Sequence, residues 1–270
     1  MARKATRKSS SGRSKSGTKG LRILISNDDG IQSAGIKALT RVAQMLSKDV
    51  WVVAPEVEQS AASHSLTVRR PVRVRKLAPQ RYAVDGTPTD CVMLAVLQVM
   101  GDHPPDLVLS GFNNGSNLAE DIAHSGTVAA ASMGAVLGSR SMALSQVTTM
   151  GQKVKWSTAE SIAPDLIRKL LAAEWARDSL MNINFPDVVS ASVTGITVTC
   201  QGRRRVRETI TESSDPFGRP YYWIGGPRNE TKNYKESDIT AIGAGAVSVT
   251  PLRLDLTQEK MLRSMRKVLG

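Results

Sequence analysis

Cysteine is nearly absent, with only Cys91 and Cys200 in 270 residues. A disulfide scaffold is therefore excluded, and since each lies in an apolar element, both are expected to be reduced core thiols of a cytoplasmic protein. Long hydrophobic runs are missing too. No stretch reaches the about 18 apolar residues of a membrane helix, and the start of the chain lacks the apolar segment of a secretory signal. A P-loop, a G-x-G-x-x-G after a strand and a G-x-S-x-G do not occur, so the common nucleotide-binding and serine-hydrolase signatures fall away. The three histidines, His64, His103 and His124, have no zinc-ligand spacing. Acid is missing from residues 1–20, which carry seven Lys or Arg among Ser and Gly.

That last absence changes the meaning of the net charge. Removing the seven cations from the chain's 36 leaves 29 against 24 acids, or +5, where the whole sequence has +12. This distribution weakens the reading of the charge as a nucleic-acid signal. Residues 1–20 are expected to be a disordered basic tail. Its open readings are an extension without function, weak contact with polyanions and an organellar import segment.

Oxygen-bearing side chains are present at telling places. Ile23, Leu24 and Ile25 form an apolar run typical of a strand covered on both faces, and Asn27, Asp28, Asp29 and Gly30 end it. In open α/β sheets ligands bind outside the carboxyl ends of the strands, where these two aspartates are expected. Adjacent carboxylates repel each other unless a cation lies between them. A solvated Asn-Asp-Asp-Gly turn is the alternative.

A helix over 33–47 and a strand, Val50–Ala54, complete a βαβ unit. Pro55 then opens a hydroxyl-rich loop, residues 56–65, beside the aspartates. Alternation over 67–84 predicts a hairpin with one wet face. Asp85 to Pro88 starts another helix, and a strand, Leu107–Leu109, delivers a loop from Ser110 to Asn117 rich in small residues and amides. Ser125, Gly126 and Thr127 precede a small-residue helix, whose start suits phosphate or marks a simple Ser/Thr cap. Further strands are predicted at 142–145, 180–185, 195–201, 221–225 and 246–250, with helices at 157–176 and 257–269. A basic run, Arg203, Arg204, Arg205 and Arg207, lies within this last part, which is expected to form an antiparallel arm or dimer contact. Asp28, Asp29, Ser60 and Asn113 together offer two anionic and two neutral oxygens, a set that suits Mg²⁺ or Mn²⁺.

Several segments in order closely resemble the SurE family of stationary-phase survival proteins: ILISNDDG, the Ser60 loop with Ser65-Leu66-Thr67, DGTPTDCV, PDLVLSGFNNGSN, SGTVAAA, NINFP and GAVSVTPLRLDLT. The resemblance spans Leu21 to Thr257. It implies a metal-dependent 5'/3'-nucleotidase, with Asp28, Asp29, Ser60 and Asn113 as ligands of one divalent ion per subunit, Asp28 and Asp29 as catalytic residues and Ser125, Gly126 and Thr127 as the phosphate-binding segment. It further implies a Rossmann-like three-layer α/β sandwich with a mostly parallel sheet, formed by residues 21–270 as one domain. A C-terminal antiparallel extension from about 195 would make a homodimer or homotetramer. The chain departs from the family pattern at Ala61, His64, Phe112 and His124, none of them a proposed ligand. Alternative functions are a broad phosphatase or exopolyphosphatase, and a non-catalytic RNA- or polyphosphate-binding protein.

Overall fold

Both faces of β1 (Arg22–Ser26) are covered, which is why its side chains are apolar without alternation. Ile23 and Ile25 point to one side and pack with Leu39 and Val42 of α1 (Ala34–Gln44) and Ile167 of α4 (Trp156–Ala172). Leu24 points to the other and joins Val92 of α2 (Pro88–Leu94) and Ala130 of α3 (Gly126–Val136). Each fully buried aliphatic side chain contributes roughly 1.5–3 kcal/mol, so the strand is fixed tightly between two helical layers.

The computed structural model describes residues 20–204, 210–224 and 234–270. The expected basic tail lies outside these residues except for Gly20, as do Arg205 and Arg207 of the basic run. Alongside β1 run β2 (Asp49–Pro55), β3 (Val74–Ala78), β4 (Arg81–Val84), β5 (Leu107–Asn114), β6 (Arg140–Gln146), β7 (Ser179–Phe185), β8 (Ile196–Val198) and β11 (Val247–Arg253). Their order in the sheet is β3-β4-β2-β1-β5-β6-β7-β11-β8. Strands β4, β2, β1, β5, β6 and β7 are parallel, while β3 and β11 run opposite to β4 and β7. The result is the Rossmann-like three-layer α/β sandwich. After β1 the chain builds outward to β2, then returns to lay β5 on β1's other side. The crevice of this topology therefore opens between the ends of β1 and β5.

Three findings correct the sequence reading. The polar stretch after Leu109 was expected to be loop, but β5 continues to Asn114 and pairs with β6 as far as Asn114 and Gln146. Backbone groups make that ladder, so polar side chains do not prevent it. Cys91 is buried, whereas Cys200 is exposed beyond the short edge strand β8; both are free thiols. The C-terminal part is only partly an antiparallel appendage, since β8 is parallel to β11 and both belong to the main sheet. A separate hairpin of β9 (Ile210–Ser214) and β10 (Pro220–Ile224) and a short helix, α5 (Asp238–Gly243), complete it. Pro164 lies inside α4, and α6 (Glu259–Leu269) buries no residue.

Asp90 holds the start of α2. Its carboxylate accepts from the backbone N–H groups of Thr67 (3.0 Å) and Thr87 (2.9 Å) and from the Thr67 hydroxyl (2.6 Å), while Thr87 accepts from the Asp90 N–H (3.1 Å) in a capping box. Burial opposes ionisation, but these hydrogen bonds outweigh it and hold the carboxyl below its ordinary value. A depressed native pKa stabilises above the unfolded value near 3.9 and is lost as pH falls through the native one. Asp90→Asn should therefore lower stability by about 1–3 kcal/mol at pH 7 in urea unfolding, and the deficit should shrink below pH ~4. An equal deficit at both pH values would reject the charge-assisted role.

Candidate active site

The end of β1 divides its polar residues by parity. Asn27 lies on the α1 side, where its amide donates to the Ser33 hydroxyl (2.9 Å) and the Gly30 carbonyl (3.1 Å), fixing the turn against the cap of α1. Asp28 lies on the α3 side, with 5 % exposure. The Thr127 hydroxyl donates to its Oδ1 at 2.6 Å. Gly126 is required there, since a Cβ at that position would sit 2.7 Å from the Asp28 Cβ. Burial pushes the Asp28 carboxyl up; Thr127 and backbone N–H groups oppose this, and the charge of Glu58 adds to it.

Asp29 is half-buried and accepts from the Asn114 N–H at 3.1 Å. Its pKa is pushed up to about 6 by burial and by the neighbouring charges of Asp28 and Glu58, against the Asn114 bond. Among the described residues, no Lys, Arg or His forms an ion pair with Asp28, Asp29 or Glu58.

The loop after β2 is sewn to the same turn. Gly30 has φ +91°, and its N-terminal neighbour strand end is bridged by Gln59 N–H donating to the Asp28 carbonyl (2.8 Å) and Ile31 N–H to the Pro55 carbonyl (2.8 Å). This places Ser60 close in chain to Asp28's anchor, though Ser60 itself is exposed and its hydroxyl donates to Glu58 Oε1 at 2.7 Å. Asn113 stands half-buried near the end of β5, with its amide nitrogen on the Gly115 carbonyl (3.0 Å), which leaves the amide oxygen as an acceptor.

Ser125 is the N-cap of α3, accepting from the Val128 N–H at 3.0 Å. With Thr127 bonded to Asp28, both hydroxyls of the Ser125–Thr127 segment are engaged. What this segment offers an anion is the N–H groups of the first helical turn and the helix dipole. Glu58 and the Asn114 N–H were not read from the sequence. Glu58 had a legible signal, a carboxylate two residues before Ser60; the Asn114 contact, made by backbone, had none.

The donor set fits a hard divalent cation. Crowded carboxylates, an amide oxygen and a hydroxyl are ligands of that class, and a cation would offset the burial and the neighbouring negative charge that raise both Asp pKa values. Among the described residues no cluster of three or more His, Cys, Asp or Glu is arranged for a metal, so neutral oxygens must complete the shell.

Comparison with known proteins matches this layout. The model of the family described as "Survival protein SurE" covers residues 23–208. A 5'-nucleotidase SurE from Paramagnetospirillum magneticum is 58% identical over 245 residues, covering 91% of this chain and 94% of its own. One from Parvibaculum lavamentivorans is 51% identical over 263 residues, covering 95% and 94%. The crystal structure of a SurE protein from Aquifex aeolicus superimposes with a TM-score of 0.81 at 38% identity, over 92% of this chain and all of that one. Metal binding is typical of these proteins. On its sequence, its sheet order and the residues at the end of β1, the chain belongs to the SurE family.

Proposed function

We propose that this chain is a metal-dependent phosphomonoester hydrolase, a 5'-nucleotidase that releases phosphate from nucleoside 5'-monophosphates and accepts 3'-monophosphates as well. The observation that carries the reading is the buried Asp28 beside Asp29, bonded to Thr127 in the first turn of α3, in a chain 45–58% identical to relatives named 5'-nucleotidase SurE. Asp28, Asp29, Ser60 and Asn113 would hold one Mg²⁺ or Mn²⁺ per subunit. Such an ion, when bound, acidifies water and neutralises charge on phosphoryl oxygens.

The protein's own part is positioning and charge control. Thr127 fixes the rotamer of Asp28, and the Asn114 N–H fixes one oxygen of Asp29, so neither carboxylate needs to reorganise during turnover. The substrate phosphate is received at the start of α3, where the Gly126 N–H and the helix dipole face it while Thr127 serves Asp28 and Ser125 caps the turn. Adjacent placement of phosphate cradle and carboxylates orients the phosphorus for in-line attack.

The same reading gives a homodimer or higher assembly. Trp223 and Ile224 of β10 are 67% and 76% exposed, and α6 presents Met261, Leu262, Met265 and Leu269 along one unpartnered face. A second copy would cover these surfaces. No helix of the described residues is long and apolar enough to cross a membrane. A cytoplasmic location is proposed with this function.

Phosphate release should be measured across AMP, GMP, 3'-AMP and tripolyphosphate, with Mn²⁺, Mg²⁺ or EDTA. Rapid, EDTA-sensitive release from the monophosphates is expected; release confined to tripolyphosphate would replace the nucleotidase by a polyphosphatase. Asp29→Asn and Asp28→Asn should each lose about 10²–10⁴-fold in kcat with the circular-dichroism spectrum unchanged. In EDTA, Asp29→Asn should unfold at a higher temperature than the wild type, because it removes like-charge crowding. Saturating Mn²⁺ should stabilise the wild type by about 2–3 kcal/mol at a hundredfold excess over Kd and leave the variant unmoved. A variant that still responds to Mn²⁺ would remove Asp29 from the ligand set. Light scattering of Leu262→Glu/Met265→Glu should give the monomer mass and that of the wild type a multiple of it; equal masses would exclude α6 from the contact.

A further inference from the structure

The chain passes from β5 to α3 through residues 117–124, a turn that carries no proposed ligand yet is fastened on three sides. It leads directly into Ser125–Thr127. On one side the Ser63 hydroxyl donates to the Ala123 carbonyl at 2.8 Å, joining the turn to the loop that holds Ser60. On another, Asn117 is buried among β6 and β7, with its N–H on Asn184 Oδ1 (2.9 Å) and its amide on the Ser145 hydroxyl (2.9 Å).

The third fastening is to the C-terminal segment. Asp238, fully buried, accepts from the Ala119 N–H through Oδ2 (2.9 Å) and from the N–H groups of Gly202 (2.9 Å) and Ile239 (2.8 Å) through Oδ1. Gln201 donates to the Ala119 carbonyl at 2.9 Å, so both backbone polar groups of Ala119 are held from that segment. The Arg204 N–H donates to Glu120 (2.7 Å), and its guanidinium pairs with Asp121 with side chains 9% and 15% exposed. Leu118, Ala119 and Ile239 pack as a small apolar cluster. Ala119 has φ +51°, a left-handed conformation that an alanine keeps only where its surroundings impose it.

We propose that Asp238 is a positioning residue for phosphate binding: by capping the Ala119 N–H it fixes the 118–124 turn, and with it the first turn of α3 that receives the substrate phosphate. The inference rests on assigning Ser125–Thr127 to that phosphate. A buried carboxylate has this power because its loss leaves a donor without a partner in a water-free place. Arg204 and Asp238 also flank the stretch that contains the β9–β10 hairpin, so the base of that arm and the phosphate segment share one set of anchors.

Asp238→Asn separates this role from simple stability. Its amide oxygen in the place of Oδ1 keeps the bonds from Gly202 and Ile239, while its NH₂ meets the Ala119 N–H donor to donor. KM for AMP should rise about tenfold, with kcat and the Mn²⁺ concentration for half-maximal activity within about twofold of the wild type. Amide hydrogen exchange should accelerate over 118–127 and stay unchanged in β1, β2 and α4. Gln201→Ala, at an exposed side chain, should raise KM in the same direction by a smaller factor. Unchanged KM in both variants, or exchange that accelerates evenly through the whole chain, would overturn the proposal. If the wild type released no phosphate from AMP, the nucleotidase reading would fail separately, and exchange over 118–127 in Asp238→Asn would still decide whether Asp238 holds the turn.

Discussion

Burial of two neighbouring carboxylates at the end of one strand sets the terms for the rest of this molecule. Asp28 and Asp29 are successive residues, and both are pushed toward their protonated forms by burial, with the charge of Glu58 adding to the effect. A protein that kept such a group without a compensating charge would lose stability at neutral pH, since burying an unpaired charge costs several kcal/mol per ion even after relaxation. Hydrogen bonds from Thr127 and Asn114 offset part of this. The unmet remainder is what a divalent ion would supply, so the instability of the metal-free site and the affinity of the loaded one have the same origin.

That constraint explains features of the fold that have no local reason. The sheet reverses its building direction between β1 and β5, and this leaves the ends of two adjacent strands uncovered by any crossover helix. Helix α3 approaches Asp28 so closely that only Gly126 fits between them. The same approach brings the positive end of the helix to the buried carboxylate, which favours its ionised form. A single helix start thus steadies the protein's own anion and leaves its remaining N–H groups for the proposed substrate phosphate.

The central sheet was legible because its strands are buried on both faces and advertise themselves as apolar runs: Ile23 to Ile25, Val50 to Ala54 and Leu107 to Leu109. The aspartates were legible because carboxylates are out of place at the end of such a run. What escaped was structure made by backbone. β5 continues through Gly111 to Asn114 on main-chain pairing with β6, although its side chains read as loop. Strand β9 has only exposed residues, and α5 is a six-residue helix set by a Ser237 cap, so neither left a periodic pattern. Cys200 misled because apolar neighbours in a short edge strand do not imply burial. Ser125 shows the limit of motif reading in the other direction: the capping and phosphate readings, weighed as rivals, describe different atoms of one segment, the hydroxyl serving the helix and the N–H groups remaining for an anion.

The elements of the site are not equally rigid. Asp28 is buried and held by a helix, whereas the Ser60 loop is largely exposed and contains two non-glycine residues at positive φ, Ala61 at 58° and Ser63 at 51°. Each left-handed residue costs roughly 1–2 kcal/mol, and a glycine at 61 would avoid that cost. The loop nevertheless keeps this shape because Gln59 is tied to the Asp28 carbonyl at one end and Ser63 to Ala123 at the other. Its geometry is therefore borrowed from the two segments it joins, the turn after β1 and the turn before α3. Ser60 commits only its proton to Glu58, so the lone pairs of its oxygen stay available to an ion, and a carboxylate accepting that proton makes the oxygen a better donor to a cation. Of the proposed ligands, Asp28 is thus the one its surroundings hold most firmly, and Ser60 the one whose place depends most on the loop around it.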